Sequence, residues 1–193
     1  MKICVYGAAS REIDKSFIEA GEDLGKKMAK RGHGLVFGGG RNGMMGATAR
    51  GIISEGGEVL GISPAFFEAN NAEVSFIGCT EFIHTETMRE RKRLLDEKSD
   101  AFIISPGGIG TFDEFFEILT LKQLGRHNKA IVILNINGYF DNMLEMMQVS
   151  VDKKFITDDC RHLYEVVNTV DEALNYIENY DPKDIDLSRV KIR

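Results

Sequence analysis

The chain of 193 residues contains no tryptophan, three prolines and three cysteines. Cys4, Cys79 and Cys160 are far apart and odd in number, with no Cys-x-x-Cys or Cys/His spacing. That excludes a disulfide framework and a zinc module. Scattered thiols fit a reducing, cytoplasmic setting. His33, His84, His127 and His162 show no ligand spacing either, so structural roles and no metal are expected. Proline scarcity excludes a Pro/Gly linker composition. No run of about 18 apolar residues is present, so no membrane span is expected, and the apolar stretch Ile3 to Tyr6 is far too short for a secretory signal. Basic residues are also in deficit. Lys and Arg number 24 against 30 Asp and Glu, a net charge of −6. Broad binding to nucleic-acid polymers or membrane surfaces is therefore not expected.

What the chain has in excess is glycine, 20 residues, where average usage gives roughly 13 or 14. Eleven of them lie between Gly32 and Gly61. Hydrophobic residues at 43% and charged residues at 28% are ordinary for a globular chain. The length suits one domain, read as residues 1–180, followed by a polar, loosely held tail over 181–193. Short apolar runs predict strands at Ile3–Tyr6, Gly34–Phe37, Val59–Ile62, Ala101–Ile104, Ala130–Leu134 and Leu163–Val167. Helical spacing predicts helices at Lys15–Lys30, Met44–Ser54, Thr87–Lys98, Phe112–Leu124, Tyr139–Lys154 and Val170–Tyr180. The stretch Glu73–Ile83 is ambiguous, with room for one strand and a loop. Strands that are apolar throughout, alternating with helices, indicate an α/β, Rossmann-like doubly wound parallel sheet with helices on both faces.

Two glycine loops each join a strand to a helix, where an open α/β sheet binds ligands. The first runs Gly38-Gly39-Gly40-Arg41-Asn42-Gly43-Met44-Met45-Gly46. A tight turn with close helix packing explains such a loop as well as a ligand does. It matches Gly-x-Gly-x-x-Gly formally, but it follows the second strand, and the next strand closes on Ile62-Ser63 instead of an acid. A dinucleotide site is therefore rejected. The second loop is Ser105-Pro106-Gly107-Gly108-Ile109-Gly110-Thr111. Its N–H groups and threonine hydroxyl suit a phosphate at a helix N-terminus. It lacks the lysine of a P-loop, so nucleoside triphosphate hydrolysis is not expected.

Glu114 sits one turn into the following helix, where acids are common for dipole reasons alone. In the helix before, Met88, Arg91, Lys92 and Leu95 share one face. Arg91 reads alone as a snorkelling surface residue. Turned inward it needs an anion, which the second loop or Glu114 would supply. Lys26, Lys27 and Arg31 read as a solvated helix face. Met143, Met146 and Met147 read as core or dimer packing.

Together these segments resemble the Lonely Guy proteins, cytokinin riboside 5′-monophosphate phosphoribohydrolases often labelled possible lysine decarboxylases. The carrying motifs are Pro106-Gly107-Gly108-x-Gly110-Thr111-x-x-Glu114, Met88-x-x-Arg91-Lys92 and the first glycine loop. The tract Leu119 to Lys129 and the turn Asn137-Gly138-Tyr139-Phe140 also match. Arg89 stands where the family has histidine, Ile109 where an aromatic is common, and the early loop Tyr6-Gly7-Ala8-Ala9-Ser10 where Cys-Gly-Ser-Ser is common.

The resemblance implies hydrolysis of a nucleoside 5′-monophosphate, AMP or a cytokinin riboside monophosphate, to free base and ribose 5-phosphate. It implies a homodimer with sites near the subunit interface and no cofactor. Arg91 and Glu114 would be the catalytic pair. Gly39, Gly40, Met88, Lys92, Gly107, Gly108, Gly110, Thr111 and Thr120 would contact the nucleotide. The alternatives are a non-catalytic nucleotide or molybdenum-cofactor carrier on the same fold, and a pyridoxal-phosphate lysine decarboxylase. Nothing in the sequence marks a Schiff-base lysine for the latter.

Overall fold

The computed structural model describes residues 1–69, 75–185 and 190. Seven strands form one parallel sheet: β1 (Lys2–Tyr6), β2 (Gly34–Phe37), β3 (Val59–Pro64), β4 (Glu81–Thr85), β5 (Ala101–Ile104), β6 (Ala130–Leu134) and β7 (Glu165–Val167). Their spatial order is β4-β3-β2-β1-β5-β6-β7. The chain builds outward from β1 in one direction, then restarts at β5 on the other side. The strand order therefore reverses between β1 and β5, and the crevice above their carboxyl ends is where such sheets bind ligands.

The helices are α1 (Lys15–Lys30), α2 (Gly43–Ser54), α3 (Ala65–Ala69), α4 (Met88–Glu97), α5 (Ile109–Gln123), α6 (Asp141–Asp152) and α7 (Val170–Asn179). Ile3, Val5, Leu35, Phe37 and Val132 face a core shared with α1, α2 and α7. Cys4, Tyr6, Val36, Phe102 and Ile131 face a second core under α4, α5 and α6. Burial on both faces is why the strands read as continuous apolar runs.

Element types follow the sequence, and some boundaries move. Helix α5 begins at Ile109, three residues before the expected start, because Gly108 serves as its N-cap without a side-chain bond. Of the ambiguous stretch Glu73–Ile83, residues 73 and 74 lie outside the described residues, while the strand starts at Glu81. The expected strand over Leu163–Val167 starts later, at Glu165, after a 3-10 segment over Asp158–Leu163. The short helix α3 was not expected. Lys27 and Arg31 are not a free solvated face. Lys27 pairs with Asp171 at 2.7 Å, and Arg31 with Asp171 at 2.7 Å and Glu178 at 3.0 Å, fastening α1 to α7. Nor is the tail loose at Val190, which is 2% exposed in the second core, its carbonyl accepting from the Gln123 amide at 3.2 Å.

Part of the glycine excess serves packing between α1 and α2. A side chain at Gly25 would strike the Thr48 carbonyl, and one at Gly51 the Glu22 carbonyl. Helix α6 shows the opposite situation. None of its residues is fully buried, and Met146 is 52% exposed.

Lys122, near the end of α5, is fully buried. Its ammonium donates to the Lys129 carbonyl and the Tyr180 hydroxyl, both at 2.9 Å. Burial pushes its pKa down from 10.5 to about 8. The folded value lies below the unfolded one, so the unfolded chain binds the proton more readily between pH 8 and 10.5. This group's contribution to stability therefore rises with pH across that window and is lowest below it. In denaturation curves at pH 7, 9 and 10, the stability of Lys122→Met relative to the wild type is expected to fall as pH rises. A difference that stays constant with pH would contradict the buried-ammonium account.

Candidate active site

The crevice between β1 and β5 is closed by backbone hydrogen bonds. Ala8, just beyond β1, donates its N–H to the Pro106 carbonyl at 3.0 Å and accepts at its carbonyl from Met45 at 3.3 Å. It thus ties both glycine loops to one point. Ser105 donates from its N–H and hydroxyl to the Tyr6 carbonyl, at 2.9 and 2.7 Å. Gly7 lies against that hydroxyl, leaving no room for a side chain.

The second loop ends in a helix N-terminus. The amides of Ile109, Gly110 and Thr111 have no acceptor within α5, as geometry requires of a first turn. No side chain caps them at Gly108. Gly108 and Gly110 are open above, whereas Gly107 packs on Thr111. Thr111 is buried, and Ile109 is 87% exposed. Oriented N–H groups and the positive end of the helix dipole make this a cradle for an anion.

About 9 Å along the helix axis from Gly108, Glu114 meets Arg91. The Arg91 Nη1 donates to Glu114 Oε1 at 2.8 Å, and its Nε donates to the Ile62 carbonyl at 3.2 Å. The Nη2 end of the guanidinium lies against Gly38, so a side chain there would collide with it. Arg91 is 5% exposed and Glu114 7%. Of the two partners the sequence offered for an inward Arg91, the structure brings it to Glu114. Burial, the Cys4 thiol and the Glu114 charge hold the Tyr6 hydroxyl well above its usual pKa. Burial, followed by Glu114, pushes Cys4 up to about 12. Both groups beneath the pair thus stay protonated at neutral pH.

The first glycine loop is used for close internal approach. Gly39 has φ of +84° beneath the Phe82 ring, and its carbonyl accepts from Phe76 at 2.7 Å. Gly40 pairs with Ser75. Both are buried, so the packing reading of this loop holds in part. Met88 is half-buried in the first turn of α4.

Lys92 is engaged by Asp113 at 3.2 Å and Glu117 at 2.5 Å, a second bridge from α4 to α5. Thr120 is exposed and does not line the crevice. It shares an open hollow of about 390 Å3 with Lys92, Asp113 and Phe116. Within one chain, these two predicted contacts are therefore separated from the cradle. A further cavity of about 380 Å3 between α4 and α5 reaches Tyr6 and Glu114 and opens past Leu121 and Arg126. Among the described residues, no cluster of three or more His, Cys, Asp or Glu is arranged to hold a metal ion, and no helix is long and apolar enough to cross a membrane.

Residues 45–177 match a family described as possible lysine decarboxylase. A probable cytokinin riboside 5′-monophosphate phosphoribohydrolase of Oryza sativa subsp. japonica is 34% identical over 182 residues, 94% of this chain and 72% of that protein. A cytokinin riboside 5′-monophosphate phosphoribohydrolase of Arabidopsis thaliana is also 34% identical, over 94% of this chain and 84% of that one. The chain belongs to the Lonely Guy family. Solved structures share the family's fold at lower identity. The molybdenum cofactor carrier protein of Chlamydomonas reinhardtii aligns with a TM-score of 0.70 at 21% identity, over 92% of this chain and 95% of that one. The structural-genomics target TM1055 aligns with a TM-score of 0.70 at 24% identity, over 93% and 99%. These two likenesses bear on fold alone.

In this family member the sequence did not reveal the Ile62 carbonyl or the Ala8 tie, because backbone groups leave no residue-type signal. Arg91→Met removes the cation that balances the buried Glu114 carboxylate and is expected to cost about 3 kcal/mol. Adding Glu114→Leu is expected to recover most of that loss in urea denaturation. A double variant as unstable as the single one would contradict the pairing.

Proposed function

We propose that the chain hydrolyses the N-glycosidic bond of a nucleoside 5′-monophosphate, AMP or a cytokinin riboside monophosphate, to free base and ribose 5-phosphate. The observation that carries this reading is the buried Arg91–Glu114 pair next to an anion cradle at a helix N-terminus. The names of the relatives support it. The 5′-phosphate is assigned to the amides of Gly108, Gly110 and Thr111 and the Thr111 hydroxyl. Gly107 shapes that cradle. The ribose then lies toward Glu114.

Breaking the bond gives C1′ oxocarbenium character, which a carboxylate stabilises. The base departs with the bonding electrons. Water adds to C1′, and Glu114 orients it, accepts its proton and passes that proton to the departing base, so the base leaves neutral and the carboxylate is restored. Arg91 is not a proton donor, since its pKa exceeds about 12. It holds Glu114 in place and balances its charge. A carrier has no need of a buried carboxylate beside the cradle, so the pair favours hydrolysis over the carrier reading.

The finer points belong to the same proposal. The exposed apolar side chains on and after α6, Met146, Val149 and Phe155, suit a homodimer that covers this side of the molecule. There Lys92 and Thr120 of one subunit would lie near the other subunit's cradle, with Met88, Gly39 and Gly40 on the near side. The three thiols are free and support a cytoplasmic setting. No cofactor is needed for this chemistry.

Chromatography of purified protein with AMP and with isopentenyladenosine monophosphate is expected to show free base without nucleoside. No base from either substrate would favour a carrier. Glu114→Gln is expected to lower base release by at least about 100-fold while nucleotide binding persists. Unchanged cleavage would overturn the mechanism.

A further inference from the structure

The turn between β6 and α6 is tightly fixed. Asn137 has φ of +55° and Gly138 φ of +69°, two consecutive residues in left-handed backbone. A non-glycine residue pays for that conformation and keeps it where the surroundings over-determine it. Here they do. Asn135 is buried, its N–H donating to the Val167 carbonyl at 2.7 Å. Its side-chain oxygen accepts from the Phe140 N–H at 2.7 Å, and its amide donates to Asp141 at 2.8 Å. The Asn137 amide donates to the Ser16 hydroxyl at 3.1 Å. What this turn delivers is Tyr139. Its ring sits edge-on against Phe17 and Phe140, with centroids at 5.9 and 5.0 Å. Its hydroxyl donates to the Gly107 carbonyl at 2.6 Å.

That bond fixes more than a carbonyl. The Gly107–Gly108 peptide is trans, so its C=O and N–H point in opposite directions. A Gly–Gly peptide rotates readily because neither residue carries a Cβ to restrict it. Gly108 has open space around it, and no side chain caps α5 there. Holding the carbonyl toward Tyr139 turns the Gly108 N–H the other way, toward the cradle. We propose that Tyr139 is a positioning residue that locks the Gly107–Gly108 peptide with its N–H facing the anion, so that the helix N-terminus is pre-formed for the substrate's phosphate.

This inference rests on the phosphate assignment above, and its test separates the two. Tyr139→Phe removes the hydroxyl and leaves the ring packing. With AMP, KM is expected to rise about tenfold, the scale of one hydrogen bond to a charged group, with kcat within a factor of two. The dissociation constant for inorganic phosphate, measured by calorimetry without catalysis, is expected to rise by the same factor. An unchanged phosphate constant, or a kcat that falls as far as kcat/KM, would overturn the positioning role. If wild-type protein releases no base from AMP, the hydrolase reading fails by itself. The calorimetric comparison then still decides whether Tyr139 sets the cradle. Tyr139→Leu removes the ring as well. It is expected to weaken phosphate binding no less than Tyr139→Phe, and tighter binding in it would also count against the role.

Discussion

The site depends on one buried ion pair. Arg91 and Glu114 come from different helices, on either side of a cleft, and both are withdrawn from water. Desolvating two charges is expensive, and replacing such a pair with apolar side chains is often neutral or stabilising. A pair kept under those terms, with the guanidinium also bound to the Ile62 carbonyl, makes sense where a carboxylate must be held in one place. The surroundings are shaped to it. Gly38 clears space for the guanidinium, and Lys92 bridges to Asp113 and Glu117 one residue further along α4.

In the proposed site, the rest of the binding is assigned to backbone geometry. The reversal of strand order between β1 and β5 opens a crevice, and Ala8 ties both glycine loops to its floor. An anion there meets oriented amides instead of a basic surface, so a chain of net charge −6 can hold a phosphate. Preorganised dipoles of this kind need no rearrangement when charge develops.

Much of this was legible in the residues. Continuous apolar runs gave the parallel sheet, and Met88-x-x-Arg91-Lys92 and Pro106 to Glu114 marked the two segments whose Arg91 and Glu114 the fold brings together. Other features were not legible, for physical reasons. Gly108 as N-cap hid the true start of α5, because glycine carries no capping side chain to announce it. Gly25 and Gly51 serve a helix contact, which depends on the partner helix and not on local sequence. Lys27 and Arg31 read as solvated because their acids, Asp171 and Glu178, lie about 140 residues away in the chain. Thr120 was expected to contact the nucleotide, yet the fold of a single chain sets it on another surface.

The central claim is that phosphate sits on the N-terminus of α5 and the reacting carbon faces Glu114. The most direct measurement is a crystal structure of Glu114→Gln with AMP bound. The account predicts the phosphorus against the amides of Gly108, Gly110 and Thr111, with C1′ facing residue 114. A phosphate seated instead at Gly38 to Gly40, or a ribose turned away from residue 114, would contradict it.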